Sequence, residues 1–575
     1  MKLIEALEIL KDGPGPEAPA LSFFLACGFT PLHLLTFLKA HSQERNPAAR
    51  VEIEIGLFGD LPGNLDRASH SSPQGAAIVV EWPDLDPRLG LRQLGGWDPD
   101  SLPGLVESAA AGASRLEAGI RCLAETCPMA VSLPALPLPP CFVAPGWQAG
   151  IAEWELREVV TSLARRLASI PRVRLLNPQR LDRVSPPGER YDVKADLTTG
   201  FPYRLDHADR LGDLLATLLA NPMPKKGLIT DLDDTLWRGI LGEVGPQGVS
   251  WDLTAHTQIH GVYQQFLAAL AAGGVLVGVA SKNDSRLVDE VLGRPDLHVP
   301  RQRLFPIEAH WEPKSQSVAR ILQAWNIGPE AVVFVDDGPM ELAEVAHAYP
   351  EMECALFTPK DPDAALRLLE RLRDRFGKMA VSEEDRIRAE SIRSAVAVRA
   401  AAGGTNQDQF LERAEAVLQF SFDKHSADNR AFDLVNKTNQ FNLNGHRYGE
   451  AEWRSCIQNP GSFLMTVSYR DKFGPLGKIA VVMGCEAGSH LHIDAWVMSC
   501  RAFSRRIEYQ CLRQLYQHFD AAELVLDFGP TPRNGPTQEF LAAFGTLQPE
   551  FRLTREHFEA ACPRLFHSVE EAVCG

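Results

Sequence analysis

The chain has 575 residues, too many for one hydrophobic core, and three or four domains is the natural division. Hydrophobic residues make up 45% and charged residues 23%, the balance of an ordinary globular protein, while a net charge of −16 argues against broad nucleic-acid binding. No run is long enough to span a membrane, and eleven scattered cysteines, without C-x-x-C or other metal-like spacing, suggest reduced thiols in a cytoplasmic setting.

The N-terminus, MKLIEALEILKDGPG, places Glu5 and Glu8 among apolar positions and reads as a short amphipathic helix, not a signal peptide. Up to about residue 220 the chain is rich in Pro and Gly. VEIEIGLFGDL (51–61), AAIVVEW (76–82) and RVRLLNP read as strands, and GWQAGIAEWELREVVTSLARRLASI reads as a helix. Strands alternating with helices favour a parallel α/β layer. A helix ending at Asn221-Pro222 marks a domain boundary, giving a first α/β domain over 1–222.

A second α/β domain follows over 223–375. Its strands GLITD, VLVGVAS and AVVFVDD are short, continuously apolar and β-branched, as expected when both faces of a parallel sheet are covered. Residues 376–405 read as a charged helical linker, in which Ser382 and Asp385 have capping-box spacing. The last domain, 406–575, carries the apolar strands SFLMTVSYRD, GKIAVVMG and LHIDAWVMSC before the amphipathic helix RRIEYQCLRQLYQHF. That order suggests an α+β fold with a central antiparallel sheet.

The middle domain carries the chemistry. Its strands end in Asp231, in Ser281, and in Asp336 with Asp337, and Lys314 opens a helix between the second and third of them. Ligands of open parallel sheets bind outside the carboxyl ends of strands, so these groups are expected to meet in one crevice. A core has no use for that much charge, because unpaired buried carboxylates are expensive. Asp231 and Asp336 can hold Mg²⁺, a hard cation that takes a few carboxylates plus substrate phosphate. Asp231 then serves as nucleophile toward phosphorus, Asp233 as acid and base, Ser281 as hydrogen-bond donor to a phosphoryl oxygen, and Lys314 as charge neutraliser. A lone D-x-D-x-T is equally a helix cap or a turn; the ordered set, each member at a strand end, is what points to a site.

With Asp231-Leu232-Asp233-Asp234-Thr235, Ser281, Lys314 and Asp336-Asp337 in that order, residues 225 to about 350 resemble a haloacid-dehalogenase (HAD) superfamily phosphatase, with its Rossmann-like parallel sheet. DLDDTLWRGILGEVG, ASKND, HWEPKSQSV, NIGPEAVVFVDDGPMELAEV, LVNKTNQFNLNGHRY and MSCRAF resemble, more narrowly, the FkbH-like proteins of polyketide pathways, from about Lys225 to Phe544. Gly338 and Leu342 depart from that pattern, where Asn and Arg are expected, and both positions are candidates to line the substrate site.

The resemblance implies a bifunctional enzyme that takes a glyceryl unit from 1,3-bisphosphoglycerate, removes its phosphate and loads it as a thioester on an acyl carrier protein. It implies Mg²⁺ on Asp231, Asp233, Asp336 and Asp337, and phosphate contacts from Thr235, Ser281, Lys282, Asn283 and Lys314. The last domain resembles a GNAT-type acyltransferase, with Cys500 as a candidate acyl carrier beside Arg501, Arg505 and Arg506. Cationic neighbours favour thiolate, yet a free cysteine is as often a small buried residue; Cys456, Cys485 and Cys511 are the next candidates. Asn436, Lys437, Asn439, Gln440 and Asn442 form a polar stretch suited to a hydroxylated acyl group or a carrier arm, or to a loop of Asx-turns; His446 beside it reads as structural. The first domain faintly resembles a degenerate SGNH hydrolase, with Leu61 where such enzymes carry Ser and with DHAD (206–209) in place of the usual Asp-x-x-His, which makes it a binding or packing module. The alternatives left open are a Mg²⁺-dependent small-molecule phosphatase whose other domains only bind substrate or partner, and a non-catalytic scaffold.

Overall fold

The computed structural model describes residues 1–575 except 95–96, 141, 383–384, 387, 389–391, 394–406, 425–428, 439, 473, 500–501, 504 and 572–575. Asn439, Cys500 and Arg501 therefore lie outside the described residues, as does most of the linker. The chain divides into two compact units, Met1–Met223 and Pro224–Gly575. No described helix is long and apolar enough to cross a membrane.

The first unit is a five-stranded parallel sheet of β1 (Ala20–Cys27), β2 (Arg50–Ile55), β3 (Gly75–Val79), β4 (Met129–Ser132) and β5 (Val173–Leu175) in the order β2-β1-β3-β4-β5. Two apolar clusters pack on it, one built around the helices Leu102–Ala124 and Ile151–Ala168 and the other around Leu32–Arg45 and Leu205–Ala220. The last of these helices ends on Asn221 in the left-handed region, ahead of Pro222. Leu61, at the position suspected of having lost a nucleophile, opens the helix Leu61–Ser71 and is buried in the core.

The second unit holds two sheets. One comprises β6 (Gly227–Thr230), β7 (Leu276–Ser281), β8 (Leu304–Ala309), β9 (Val332–Asp336) and β10 (Glu353–Leu356) in the order β10-β9-β6-β7-β8, with every pair parallel. β6, β7 and β9 are buried on both faces, which is why they read as unbroken apolar runs. Trp325, fully buried, ends the helix Lys314–Trp325 and lies over Gly227 and Gly278, where a Cβ would come within 2.6 and 2.9 Å of its ring. Its Nε1 donates to the Phe305 carbonyl at 2.8 Å. Ser382 and Asp385 do close a reciprocal capping box, each backbone N–H donating to the other's side chain.

The other sheet contains β11 (Val417–Ser421), β12 (Phe441–Asn442), β13 (Ser462–Asp471), β14 (Gly474–Ala487), β15 (His490–Met498), β16 (Glu523–Asp527), β17 (Glu550–Thr554) and β18 (Ser568–Glu571). Its order is β17-β16-β15-β14-β13-β11-β18, with β12 on β15. The sheet is not purely antiparallel: β15 pairs β16 in parallel and β11 pairs β18 in parallel. Asn436 and Lys437, expected in a loop, instead finish the helix Asn429–Lys437. Its buried Ala431, Leu434 and Val435 drive that local choice by packing on the apolar cluster below.

Truncating Trp325 to Ala leaves a large void between the helix and β6–β7. The Trp325→Ala protein should lose about 3–5 kcal/mol of stability in the second unit, measured by urea denaturation followed by far-ultraviolet circular dichroism.

Candidate active site

The order β10-β9-β6-β7-β8 reverses direction between β6 and β9, and that switch point is where a crevice opens in a parallel sheet. Thr230 is in register with Val335, so the next residue on each strand brings Asp231 beside Asp336. Both are buried, as is Lys314 at the start of its helix. Lys314 Nζ lies 2.5 Å from Asp336 Oδ2 and 3.1 Å from Asp231 Oδ1. Asp336 Oδ1 accepts from the Gly338 N–H at 2.8 Å, whereas Asp231 Oδ1, although within ion-pair distance of the ammonium, has no well-directed hydrogen bond.

Asp231, Asp336 and Asp337 each present a carboxylate oxygen such that all three lie within 4.8 Å of one another. One ammonium does not balance three carboxylates. Burial first, and the Asp231 charge second, push Asp336 up to about 7; the same two causes, with Asp234 added, push Asp337 up to about 6. Burial works to lower the Lys314 ammonium, but the charges of Asp231 and Asp336 outweigh it and hold it above its usual range. A hard divalent cation among these oxygens removes the conflict, and the donor set, all carboxylate oxygen, suits such an ion.

Asp233 does not join that set. Its Oδ1 accepts from Trp237 Nε1 at 2.9 Å and its Oδ2 from the Leu241 N–H at 3.2 Å, so its carboxylate is held on the loop. Burial raises its pKa, against hydrogen bonds from Asn283 and Trp237 that oppose the rise. Asp234 takes the left-handed backbone conformation that reverses the loop, and its Oδ1 accepts from the Gly239 N–H.

Thr235 is fully buried, its Oγ1 3.4 Å from Asp337 Oδ1. Ser281 Oγ accepts from Asn283 Nδ2 at 3.1 Å, and both residues are buried at the end of β7. Lys282, expected on phosphate, is partly exposed and lies 3.3 Å from Glu341. The Glu341 partnership was not foreseen, nor was the Trp237 clamp on Asp233, although the i,i+4 spacing in DDTLW is a legible cue for the latter. Gly338 has a local reason: a Cβ there would meet Glu341 Oε2 at 2.3 Å and Asp336 Oδ1 at 3.1 Å. Leu342, proposed as a site-lining residue, packs against the core beneath the sheet.

Several of the described candidate carrier-binding residues in the last domain are engaged in local contacts. Asn436 exchanges two hydrogen bonds with the Tyr448 backbone, and Lys437 pairs with Asp433. Asn442 Oδ1 accepts from the Asn444 and Gly445 N–H groups and its Nδ2 donates to the Thr438 carbonyl. Gln440 Oε1 is buried with no hydrogen-bond partner. Arg505 is buried, 3.8 Å from Asp471 and over the Tyr469 ring, while Arg506 binds Asp408 and the Arg564 carbonyl. His446 pairs with Glu452 at 2.9 Å. Cys511 is fully buried, which pushes its thiol well up.

No protein-family model matches the chain, and no curated protein matches it. Among solved structures it is similar to the N-terminal part of the protein BF1531 from Bacteroides fragilis, which contains a phosphatase domain and was crystallised with Mg. The two share 19% identity with a TM-score of 0.53, over 66% of this chain and the whole of that one. At that identity the likeness is one of fold.

Two outcomes test the electrostatics. Asp336 and Asp337 titrate above the ordinary aspartate range in the folded protein, so the native state binds more protons and stability falls as pH rises through that window. The chelator-treated protein should therefore be less stable at about pH 8 than at about pH 5, and a divalent cation should flatten the slope in thermal melts. Lys314→Met should cost about 3–5 kcal/mol without divalent cation, by urea denaturation, because it strands buried carboxylates.

Proposed function

We propose that this chain is a Mg²⁺-dependent phosphotransferase acting on a small phosphorylated substrate. The observation that carries the reading is the buried Lys314 ammonium between Asp231 and Asp336, with Asp337 beside them, at the switch point of a parallel sheet. The fold likeness to a phosphatase domain bound to Mg supports it.

Asp231, Asp336 and Asp337 are the residues that hold the ion, which when bound supplies electrostatic stabilisation of the phosphoryl oxygens. Asp231 attacks phosphorus through a carboxylate oxygen, so an Asp–O–P bond forms as the bond to the leaving oxygen breaks. Asp233, its pKa raised by burial, gives its proton to that oxygen. Asp233 then takes a proton from water, which attacks the aspartyl-phosphate, releases inorganic phosphate and restores Asp231. Lys314 neutralises charge on the transferring group, and Ser281 and Thr235 donate hydrogen bonds to it. Trp237 and the Leu241 N–H hold the Asp233 carboxylate in place for that role.

The finer reading rests on the sequence motifs shared with FkbH-like proteins. In it the substrate is 1,3-bisphosphoglycerate, and the glyceryl unit leaves as a thioester on an acyl carrier protein, with a GNAT-like last domain and a degenerate SGNH-like first one. Cys500 is the candidate relay thiol in that scheme, and Arg501 and Asn439 remain candidates for carrier contact. Arg505 and Arg506 are better supported as structural partners. The alternative is a small-molecule phosphatase whose remaining parts only bind.

Intact-protein mass spectrometry of the full chain with 1,3-bisphosphoglycerate, Mg²⁺ and a holo carrier protein separates the readings. A glyceryl adduct on the carrier is the expected result; phosphate release with no adduct on enzyme or carrier favours the simple phosphatase. Asp231→Asn should lower phosphate release by at least about a thousandfold with the circular dichroism unchanged. Activity that survives this change overturns the proposal.

A further inference from the structure

A second group of metal-ligating side chains lies far from the aspartates in sequence and on a different sheet. Cys485, near the end of β14, faces His492 on β15 as a direct cross-strand pair, and Asp494 follows two residues on. One donor atom from each, a thiol sulfur, an imidazole nitrogen and a carboxylate oxygen, lies within 4.8 Å of the other two. All three side chains are partly exposed, so an ion can reach them. His492 and Asp494 sit two residues apart on one strand, and only the pairing of the strands brings Cys485 to them.

The hairpin is built to hold this arrangement. Gly488, at a φ of +69°, with Ser489 forms the two-residue turn between β14 and β15, which fixes Ala487 against His490 and hence Cys485 against His492. The register then shifts: Met483 faces Ala495 while Gly484 faces Ile493, which leaves Asp494 as the extra residue of a bulge. Bulges re-aim side chains. Gly484 is required at that step, because a Cβ would come within 1.9 Å of the His492 carbonyl oxygen. The result is a carboxylate aimed at the imidazole, with Asp494 Oδ1 2.8 Å from His492 Nδ1.

We propose that Cys485, His492 and Asp494 form a site for a thiophilic divalent transition metal such as Zn²⁺, independent of the Mg²⁺ chemistry proposed for the aspartates. The donor set separates the two: oxygen-only sites select hard ions, while thiolate with imidazole selects zinc and its neighbours. Zinc bound to nitrogen and oxygen at about 2.0 Å places those two ligand atoms roughly 3.3 Å apart. The imidazole and carboxylate therefore need to separate by only about half an ångström, as the metal replaces the proton between them. The thiol gives its proton to solvent and binds as thiolate. Three protein ligands leave the fourth position to water or an exogenous ligand, and the ion ties the β14–β15 turn together.

The full-length protein, treated with chelator and desalted, is titrated with Co²⁺ alone and then with Zn²⁺. A sulfur-to-cobalt charge-transfer band at one equivalent, bleached by Zn²⁺, is expected; carboxylate sites cannot produce that band. Cys485→Ser and His492→Ala should abolish it, and Asp494→Asn should weaken Zn²⁺ at least about tenfold by chelator competition. Asp231→Asn should leave it intact. A readout without any variant is alkylation of the wild-type thiol by iodoacetamide, followed at Cys485 by peptide mass spectrometry. Protection by Zn²⁺ is the expected result. Alkylation of Cys485 at the same rate under saturating Zn²⁺, or a charge-transfer band that persists in Cys485→Ser, overturns the proposal.

Discussion

Three carboxylates at the tips of two neighbouring strands, with a single buried ammonium between them, form the constraint around which the second unit is organised. Neighbouring strands lie about 4.8 Å apart, and the register of β6 with β9 allows Asp231 and Asp336 no greater separation. Isolated buried charge of this kind is untenable. The sheet tolerates it because Lys314 reaches in from a helix whose far end is anchored by Trp325 over Gly227 and Gly278. The two small residues in β6 and β7 let the Trp325 ring pack closely on the sheet and so help to seat the helix that carries Lys314.

Gly338 shows how closely the backbone follows this constraint. Its N–H satisfies Asp336 Oδ1, and its lack of a side chain leaves room for Glu341, which in turn lies beside Lys282. A residue first noticed as a departure from a pattern thus has a local physical account in hydrogen bonding and space. Leu342, the other departure, has a different one, since it fills the apolar layer under the sheet.

Much of this was legible in the sequence, for reasons that differ by residue. β6, β7 and β9 are buried on both faces and carry the continuous apolar signal that such strands must have, so their ends and the charges on them could be located. β8 and β10 are only partly buried edge strands, and their composition is correspondingly mixed. Asn436 and Lys437 misled because a dense run of Asn and Gln disfavours helix, yet three buried apolar residues on the preceding turns outweigh local propensity. The clamp on Asp233 depends on where Trp237 returns after the loop, and the meeting of Cys485, His492 and Asp494 depends on strand register. Neither is a property of composition or of spacing alone.

The first unit shows why topology by itself does not make a site. Its order, β2-β1-β3-β4-β5, also reverses at a switch point, between β1 and β3, and polar residues also gather at those strand ends. There, several of these polar groups are bonded by the chain's own groups. Asn64 bonds the Cys27 carbonyl and both backbone groups of Leu57. Glu81, pushed up to about 7 by burial, accepts from Tyr203 and from the Ala135 and Leu136 N–H groups. Ser185 Oγ also lies 2.8 Å from His207 Nδ1, a pairing that spacing does not reveal, but both residues are buried and burial lowers the His207 pKa to about 3. Polar tips closed by internal partners stabilise a fold. In the second unit three carboxylates converge on one buried ammonium, and that residual demand for positive charge, more than the shared architecture, sets the candidate site apart from a packed end of a sheet.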